Sequence, residues 1–482
     1  MVNDDGESSR KRLTRRAPGW AIVAALAFNG LSSAFMYTLV VPLQAELPHL
    51  LNASREDTTW VVTITLLVAA VATPISGRLG DMFGKRRVIL ILLCALILGS
   101  LIAAVSQSII GIIIGRGLQG ITTGVIPLGI AVMRDVLPPA RLSTAIAFMS
   151  ATMGVGGAVG LPVSAFVAEN YDWHMLFWMS LALGVIGFVA IWIVVPPDTI
   201  LYPGRIDVVG AVGLAIGLSG LLLYVSRGAD WGWASPIALS SVAVGVIALL
   251  VWGWYQLRVD EPLVDLRVAA RPAVLITNLA AIGMGFALFG SNISFPQLLE
   301  LPADTGVGFG LTLMEAALCI MPSGLIMMSL APLSGRLERL LGPRALFTLG
   351  TIAIVVAYGF VLLWSTEVWH IVIANCLIGV GIAFSFAAMP IIIMRSVPAN
   401  ETGVSNGLNA LFRSVGTSSA AAVMGGVLAA MSVPRNGVGV PTAAAFATCF
   451  WIAIAAALVA LVLTLFIPRA RADEEYTSMP RR

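Results

Sequence analysis

Residues 77–87 read GRLGDMFGKRR. They place five charged side chains, Arg78, Asp81, Lys85, Arg86 and Arg87, in eleven positions of a chain that is only 11% charged overall. Apolar runs flank them, Thr58 to Ser76 before and Val88 to Ser106 after. Gly77 and Gly84 lack a Cβ and so permit tight turns and close helix approach. The expected arrangement is a short polar loop between two helices, with Asp81 an anion among four cations.

Working outward, 58% of the 482 residues are hydrophobic and the mean hydropathy is +0.94. An ordinary soluble domain is about 25% charged. Segments apolar on every side suit lipid and neighbouring helices, so the composition defines an all-α polytopic membrane protein. The net charge of +3 says nothing about nucleic acid, because the basic residues are scattered through loops, and no nucleic-acid partner is expected. Cys94, Cys319, Cys376 and Cys449 fall in apolar runs without CxxC or metal spacing and read as buried thiols. The basic start, Arg10 to Arg16, leads into an apolar run too long for a signal peptide's core. An enzyme is not expected. His49, His174 and His370 are far apart near span ends, and no phosphate-binding G-x-x-x-x-G-K-[S/T] loop occurs.

A bilayer crossing needs about 20 mostly apolar residues, and the chain divides into fourteen such runs, from Pro18–Val41 to Ala445–Ile467. With the N-terminus inside, 23 of the 28 basic residues fall on the cytoplasmic side, as the positive-inside rule requires. Arg55, Arg227 and Arg435 remain outside, and Arg116 and Arg413 lie within spans. An even number of crossings in the plasma (inner) membrane follows, with both termini cytoplasmic. Trp20, Trp60, Trp231, Trp233, Trp254, Trp364 and Trp369 sit near span ends, where an amphipathic ring prefers the interface.

The opening stretch recurs. PISGRLGDMFGKR from Pro74 aligns without gaps to PLSGRLERLLGPR from Pro332, and PLQAELP from Pro42 to PQLLELP from Pro296, at offsets of 258 and 254. Helices one to six therefore correspond to nine to fourteen. The expected organisation is a tail 1–17, a six-helix bundle 18–195, a linker 196–272 holding two inserted helices, a second bundle 273–467 and a tail 468–482. Gly77, Leu79, Asp81, Gly84, Lys85 and Arg86 match the loop between the second and third helices of the major facilitator superfamily, and the whole chain resembles its fourteen-helix drug:proton antiporter branch. The resemblance implies the major facilitator fold and a substrate site between the halves near the bilayer midplane. It also implies multidrug-type efflux by alternating access, driven by a proton gradient without a cofactor.

The gating loop is then Gly77, Arg78, Asp81, Gly84, Lys85, Arg86 and Arg87, with Gly335, Arg336, Gly342 and Arg344 as the second-half counterpart. In the resembled family the aspartate faces the start of a helix of the other half, here near Gly403, where a carboxylate gains up to about 2 kcal/mol from the helix dipole. Arg339 stands where Asp81 has its counterpart, so the latch is expected on one side only. Arg116, Gln119 and Gly120 resemble the family's helix-four motif, and an arginine within a span costs at least about 2.5 kcal/mol unless it meets a partner or cavity. Gly156, Gly160 and Pro162 partly match the family's helix-five antiporter motif, with Leu161 where its proline is expected. A small-xxx-small face of that kind also brings helices together.

Helix one departs from the branch: Pro18 to Val41 contains no acid, and Ser33 stands where many members carry one. Glu315 follows Thr312 by three residues and reads as a capping box, so no proton carrier is identified. Arg116 and Arg413 without an intramembrane acid define a positive cavity, with an anionic or amphiphilic substrate as its counter-charge. Asn29, Gln119, Asn278, Asn292 and Asn375 are the polar residues available to orient a ligand or to bond helices together. Expected partners are a small molecule, protons and lipid, with the monomer as the functional unit. The alternative is a facilitator or importer of a nutrient or metabolite without that coupling.

Overall fold

The computed structural model of the protein describes residues 18–40, 43, 47–197, 201, 204–398, 401–435 and 438–468. Both basic tails, with Arg10 to Arg16 and Arg469 to Arg482, lie outside the described residues, as do Pro42 and Glu46. The first half contributes α1 (Gly19–Thr38), α2 (Arg55–Phe83), α3 (Lys85–Val105), α4 (Ile109–Val136), α5 (Pro139–Asn170) and α6 (Met175–Val194). Then come α7 (Val208–Trp231) and α8 (Pro236–Gln256). The second half holds α9 (Pro272–Glu300), α10 (Leu313–Ser329, continued by Ala331–Leu341 after a 48° bend) and α11 (Pro343–Leu363). It closes with α12 (Val368–Ser396), α13 (Thr402–Ala430) and α14 (Ala443–Phe466). A short antiparallel ladder, Ser432–Arg435 with Val438–Pro441, joins α13 to α14.

Local chemistry sets the helix starts. Ser54, Ser108, Ser235 and Thr442 each accept an amide of the first turn, and Thr312 with Glu315 forms the expected capping box. A turn of 3-10 helix, Thr122–Gly124, interrupts α4. Among the described residues twelve helices are long and apolar enough to cross a membrane, thirteen if the bent α10 is one span. The remaining long helix, α13, has 29 residues but is rich in Ser, Thr, Asn and Gly. Two large apolar cores lie side by side. One is built mainly from the first half, around Leu26, Ile89, Leu96, Met133 and Phe177, and the other mainly from the second, around Met284, Phe347, Tyr358, Phe386 and Phe450.

The pair α7–α8 sits beside these cores. Its helices touch at Gly220 and Gly245, and α7 packs against α2 and α13, so it meets both halves. Two expectations are corrected here. Arg227, placed in an outer loop by the sequence, lies within α7 and is fully buried between the rings of Trp60, 5.1 Å away, and Trp231, 5.8 Å away. Aromatic faces stabilise a buried guanidinium, which lets the helix run past the charge. The cysteines are also not uniformly buried, since Cys94 on α3 is exposed and only Cys449 is fully buried.

At the end of the insert nearer the opening stretch, Asp207 gathers four donors: the amides of Gly210 at 2.7 Å and Leu263 at 3.2 Å, Gln256 Nε2 at 2.6 Å and Tyr255 Oη at 3.2 Å. This knot holds Leu263 and Val264 against Val404 and Leu408 of α13. Asp207→Ala leaves several buried donors without an acceptor, at about 1–3 kcal/mol each. The variant is expected to melt at lower temperature in detergent and to be cut faster by protease within residues 257–265; unchanged cleavage would contradict the knot's role.

Candidate functional site

The opening stretch is helical where a loop was expected. Gly77, Arg78 and Asp81 lie on the last two turns of α2, and Lys85, Arg86 and Arg87 on the first turn of α3. Gly84 alone turns the chain, at φ +101°. In the second copy Gly335 and Arg336 lie on the second arm of α10, Gly342 turns at φ +82°, and Arg344 begins α11. A residue without Cβ adopts positive φ at no steric cost, so one glycine replaces a loop.

Gly77 lies directly against the start of α13. A Cβ there would sit 2.6 Å from the Gly403 carbonyl oxygen and 2.9 Å from Val404 Cα. One turn on, Asp81 is 1% exposed, and its carboxylate faces the first-turn amides of Gly403 and Val404, short of full hydrogen-bond geometry. Free N–H groups at a helix start favour a carboxylate there. Lys85, itself 3% exposed, reaches Asp135 Oδ2 at 2.6 Å and Asp81 Oδ1 at 3.8 Å, tying α3 to the end of α4. Arg134, the neighbour of Asp135, donates across to the Thr402 hydroxyl of α13. Glu401, just before α13, has its carboxyl raised above the ordinary range by burial and by Asp265, against the pull of Arg78 and Arg271.

A second contact of the same kind joins α10 to α5. A Cβ at Gly335 would meet Thr144 Oγ1 at 2.4 Å and Thr144 Cα at 2.7 Å. Glu338, 1% exposed, accepts from Ser143 Oγ of α5 and from Arg395 Nη2 of α12 at 2.7 Å. Arg339 donates to Ala140 O at 3.4 Å and Thr144 Oγ1 at 3.3 Å. The one-sided latch is therefore corrected: the second half carries its own buried carboxylate one position earlier, and Arg339 bonds across the seam. Sequence reading placed Arg134, Asp135 and Arg395 at span ends without a role at the seam, and gave Glu338 none. Glu338 adjoins the second-copy motif, and the other three are charges at the ends of long apolar runs, a signal of position but not of partner.

Two motif arginines brace their own halves. Arg86 donates to Trp192 O in the last turn of α6 at 2.6 Å, and Arg344 to Leu465 O in the last turn of α14. A cation on free C-terminal carbonyls complements the helix dipole. Arg78 is partly exposed, while Arg87 and Arg336 are exposed.

Deeper in, contacts between the halves continue through Gly154 against Met327, Gly324 against Ala158, and Ser150 Oγ donating to Phe386 O at 2.8 Å. The seam is thus shut from the charged end to about mid-depth. Of the seven residues expected around a cavity, five are buried in contacts within their own half. Arg116 donates to Met36 O and Gln119 Oε1, both at 2.8 Å, and to Val61 O at 3.3 Å, and Gln119 donates to Ser100 at 2.9 Å. Asn29 bonds Gly187 O of α6, Asn278 accepts from Asn409 of α13, and Asn375 donates to Ile320 O of α10. Asn292 on α9 is exposed, and Arg413 on α13 is half-buried over the ring of Phe386 at 4.7 Å. In the antiporter-like stretch Gly156 and Gly160 let α5 approach α1 at Ala34, Phe35 and Thr38, with Pro162 two residues beyond.

Two helix groups that meet along a seam, closed by matching contacts at one end, define a multi-pass membrane transport protein. The chain belongs to the Major Facilitator Superfamily, whose sequence profile matches residues 26–421. It is 26% identical to the lincomycin resistance protein LmrB of Listeria monocytogenes over 93% of this chain and 97% of that one. It is 31% identical to the multidrug export protein EmrB of Escherichia coli over 64% of this chain and 60% of that one. A tetracenomycin C resistance and export protein of Streptomyces glaucescens is 25% identical over 86% of this chain and 77% of its own length. These relatives place the chain with the drug antiporter branch. Among solved structures, the human organic anion transporter MFSD10 superposes with a TM-score of 0.66 at 16% identity, covering 93% of this chain and 100% of that one. The proton:xylose symporter XylE does so at 0.63 and 13% identity, over 93% and 96%. Both show the fold.

Proposed function

We propose that the protein is a secondary active exporter of small amphiphilic or toxic compounds that works by alternating access in exchange for protons. The observation that carries this reading is the duplicated closure at the charged end, Gly77 on Gly403 and Gly335 on Thr144, each beside a buried carboxylate. Opening requires both contacts to part together, as a rocking of one half against the other. In this reading α13 also crosses, which brings the crossings to fourteen, both termini and the charged end are cytoplasmic, and the conformer faces outward. Asp81 and Glu338 are the buried acids exposed when that end opens. Relatives named for lincomycin, tetracenomycin C and multidrug export support the substrate class.

The test loads inverted vesicles or proteoliposomes with a pH-reporting dye and follows lincomycin uptake and internal pH together. Saturable uptake with proton counterflow is expected. Uptake without proton movement would leave the second reading, a facilitator, which the absence of any acid from α1 favours. Asp81→Asn should slow uptake about 10- to 30-fold, from up to about 2 kcal/mol of lost carboxylate–helix interaction, while folded protein remains in the membrane. Full activity would count against the latch.

A further inference from the structure

Arg413 lies eleven residues into α13, about 17 Å from its start at 1.5 Å per residue, near the middle of a hydrocarbon layer about 30 Å thick. Its surroundings differ from those of Arg116. Arg116 spends its donors on Met36 O, Val61 O and Gln119 within its own half. Among the described residues, no carbonyl, carboxylate or hydroxyl accepts from the Arg413 guanidinium; its recorded contact is the face of Phe386. That ring is itself 1% exposed and held from behind, since its backbone carbonyl accepts from Ser150 across the seam. Backbone of α13 at Arg413 packs on Gly285 of α9, which fixes where the side chain leaves its helix. From the other half Tyr37 of α1, bonded to Thr123, stands within electrostatic range of Arg413.

A guanidinium stacked on an aromatic face keeps its plane fixed and its five N–H donors free at the edge. At mid-bilayer depth such a cation is costly unless a counter-charge reaches it. The sequence supplies no acid within α1, α12 or α13, the helices bearing Tyr37, Phe386 and Arg413. We propose that Arg413 is the anion-recognition residue of the substrate site, and that its ligands are amphiphilic monoanions, an aromatic carboxylate or sulfonate in chemical class. The acidic group takes the guanidinium edge, which Phe386 holds in place from the other face. A cationic compound of the same shape is repelled by the same group. The proposal deepens the exporter reading and rests on it for the word substrate, but its test is binding and is separate from flux.

The experiment measures binding to the purified full-length protein, by ligand-induced thermal shift and tryptophan fluorescence, of three probes on one scaffold: 1-naphthaleneacetate, 1-naphthaleneacetamide and 1-(aminomethyl)naphthalene. The acetate is expected to bind at least about tenfold more tightly than the amide, the worth of a charge-assisted pair, and the amine least. Arg413→Gln should erase the preference for acetate over amide, and Arg413→Lys should keep part of it. Phe386→Leu, which leaves the charge but removes the stacking face, should weaken the acetate by less. Equal binding of all three probes, preference for the amine, or acetate selectivity surviving in a folded Arg413→Gln protein overturns the proposal. So does displacement of the acetate by chloride or inorganic phosphate at equal concentration, which would mark a site for small ions. Acetate-selective binding without vesicle flux would sink the exporter reading and leave the Arg413 site standing. Vesicle flux of lincomycin without acetate-selective binding would do the reverse.

Discussion

Gly77→Val is expected to abolish transport and leave the charged end of the seam ajar. The new Cβ would point at the Gly403 carbonyl and Val404 Cα, at 2.6 and 2.9 Å, and both are backbone atoms that no rotamer change moves aside. Overpacking a tight contact costs about 1–3 kcal/mol, which lowers the population of the shut conformer about 5- to 150-fold. The unyielding neighbour favours the upper end of that range. A cysteine placed at Asn406, 4% exposed in the shut form, should then react faster with a membrane-impermeant maleimide applied from the charged side. Unaltered labelling, with normal flux, would show that α2 and α13 do not need to touch. Gly335→Val should act in the same direction, against Thr144 of α5.

Glu338→Gln should cost the most stability of any single conservative change at the gate. Glu338 is 1% exposed and bonds both Ser143 and Arg395, so neutralising it removes the charge that pairs with a guanidinium whose side chain is one-third exposed. Removing one partner of a buried ion pair costs about 3–5 kcal/mol, and the exposure of Arg395 places this case near the lower bound. The decisive measurement is a double-mutant cycle with Arg395→Gln on unfolding in detergent. If the two substitutions simply add, the pair is not coupled; recovery in the double variant is the expected outcome. Because Ser143 belongs to the other half, Glu338→Gln should also shift the protein towards the form open at the charged end.

Much of the fold is legible in the chain because a bilayer imposes run lengths of apolar residues, and because the echo of residues 74–86 at 332–344 marks the duplicated unit. The polar loop was misread for a physical reason. Charge and glycine usually mark a loop, yet here a single positive φ at Gly84 suffices, and the flanking residues continue their helices to the turn. Aligning the copies column by column also hid Glu338, which aligns with Gly80 and not with Asp81. A helix advances about 100° per residue, so a carboxylate one position away addresses different neighbours. Asn29, Asn278 and Asn375 were ambiguous because helices apolar all round carry no periodic stripe to say which side faces a cleft. Arg413 was visible as a charge in a span, but its seat on the Phe386 ring, with no hydrogen-bond acceptor among the described residues, is a fact of packing alone.

The polarity of α13 bears on how the protein is made. Thr402–Ala430 supplies the gate's receiving surface for Asp81, Arg134 and Gly77, and the arginine over Phe386. The same groups make it a poor substrate for the translocon, where one mid-helix arginine alone adds about 2.5 kcal/mol or more to the cost of partitioning. It emerges from the ribosome only after twelve other helices have been synthesised. In the proposed reading of α13 as a crossing, its entry into the bilayer depends on neighbours already in place, with α2 and α9 offering the carbonyls, Asn278 and the small-residue surfaces that lipid cannot. In that reading, the helix that receives Gly77 and Asp81 is also the one whose membrane insertion is a late act of assembly.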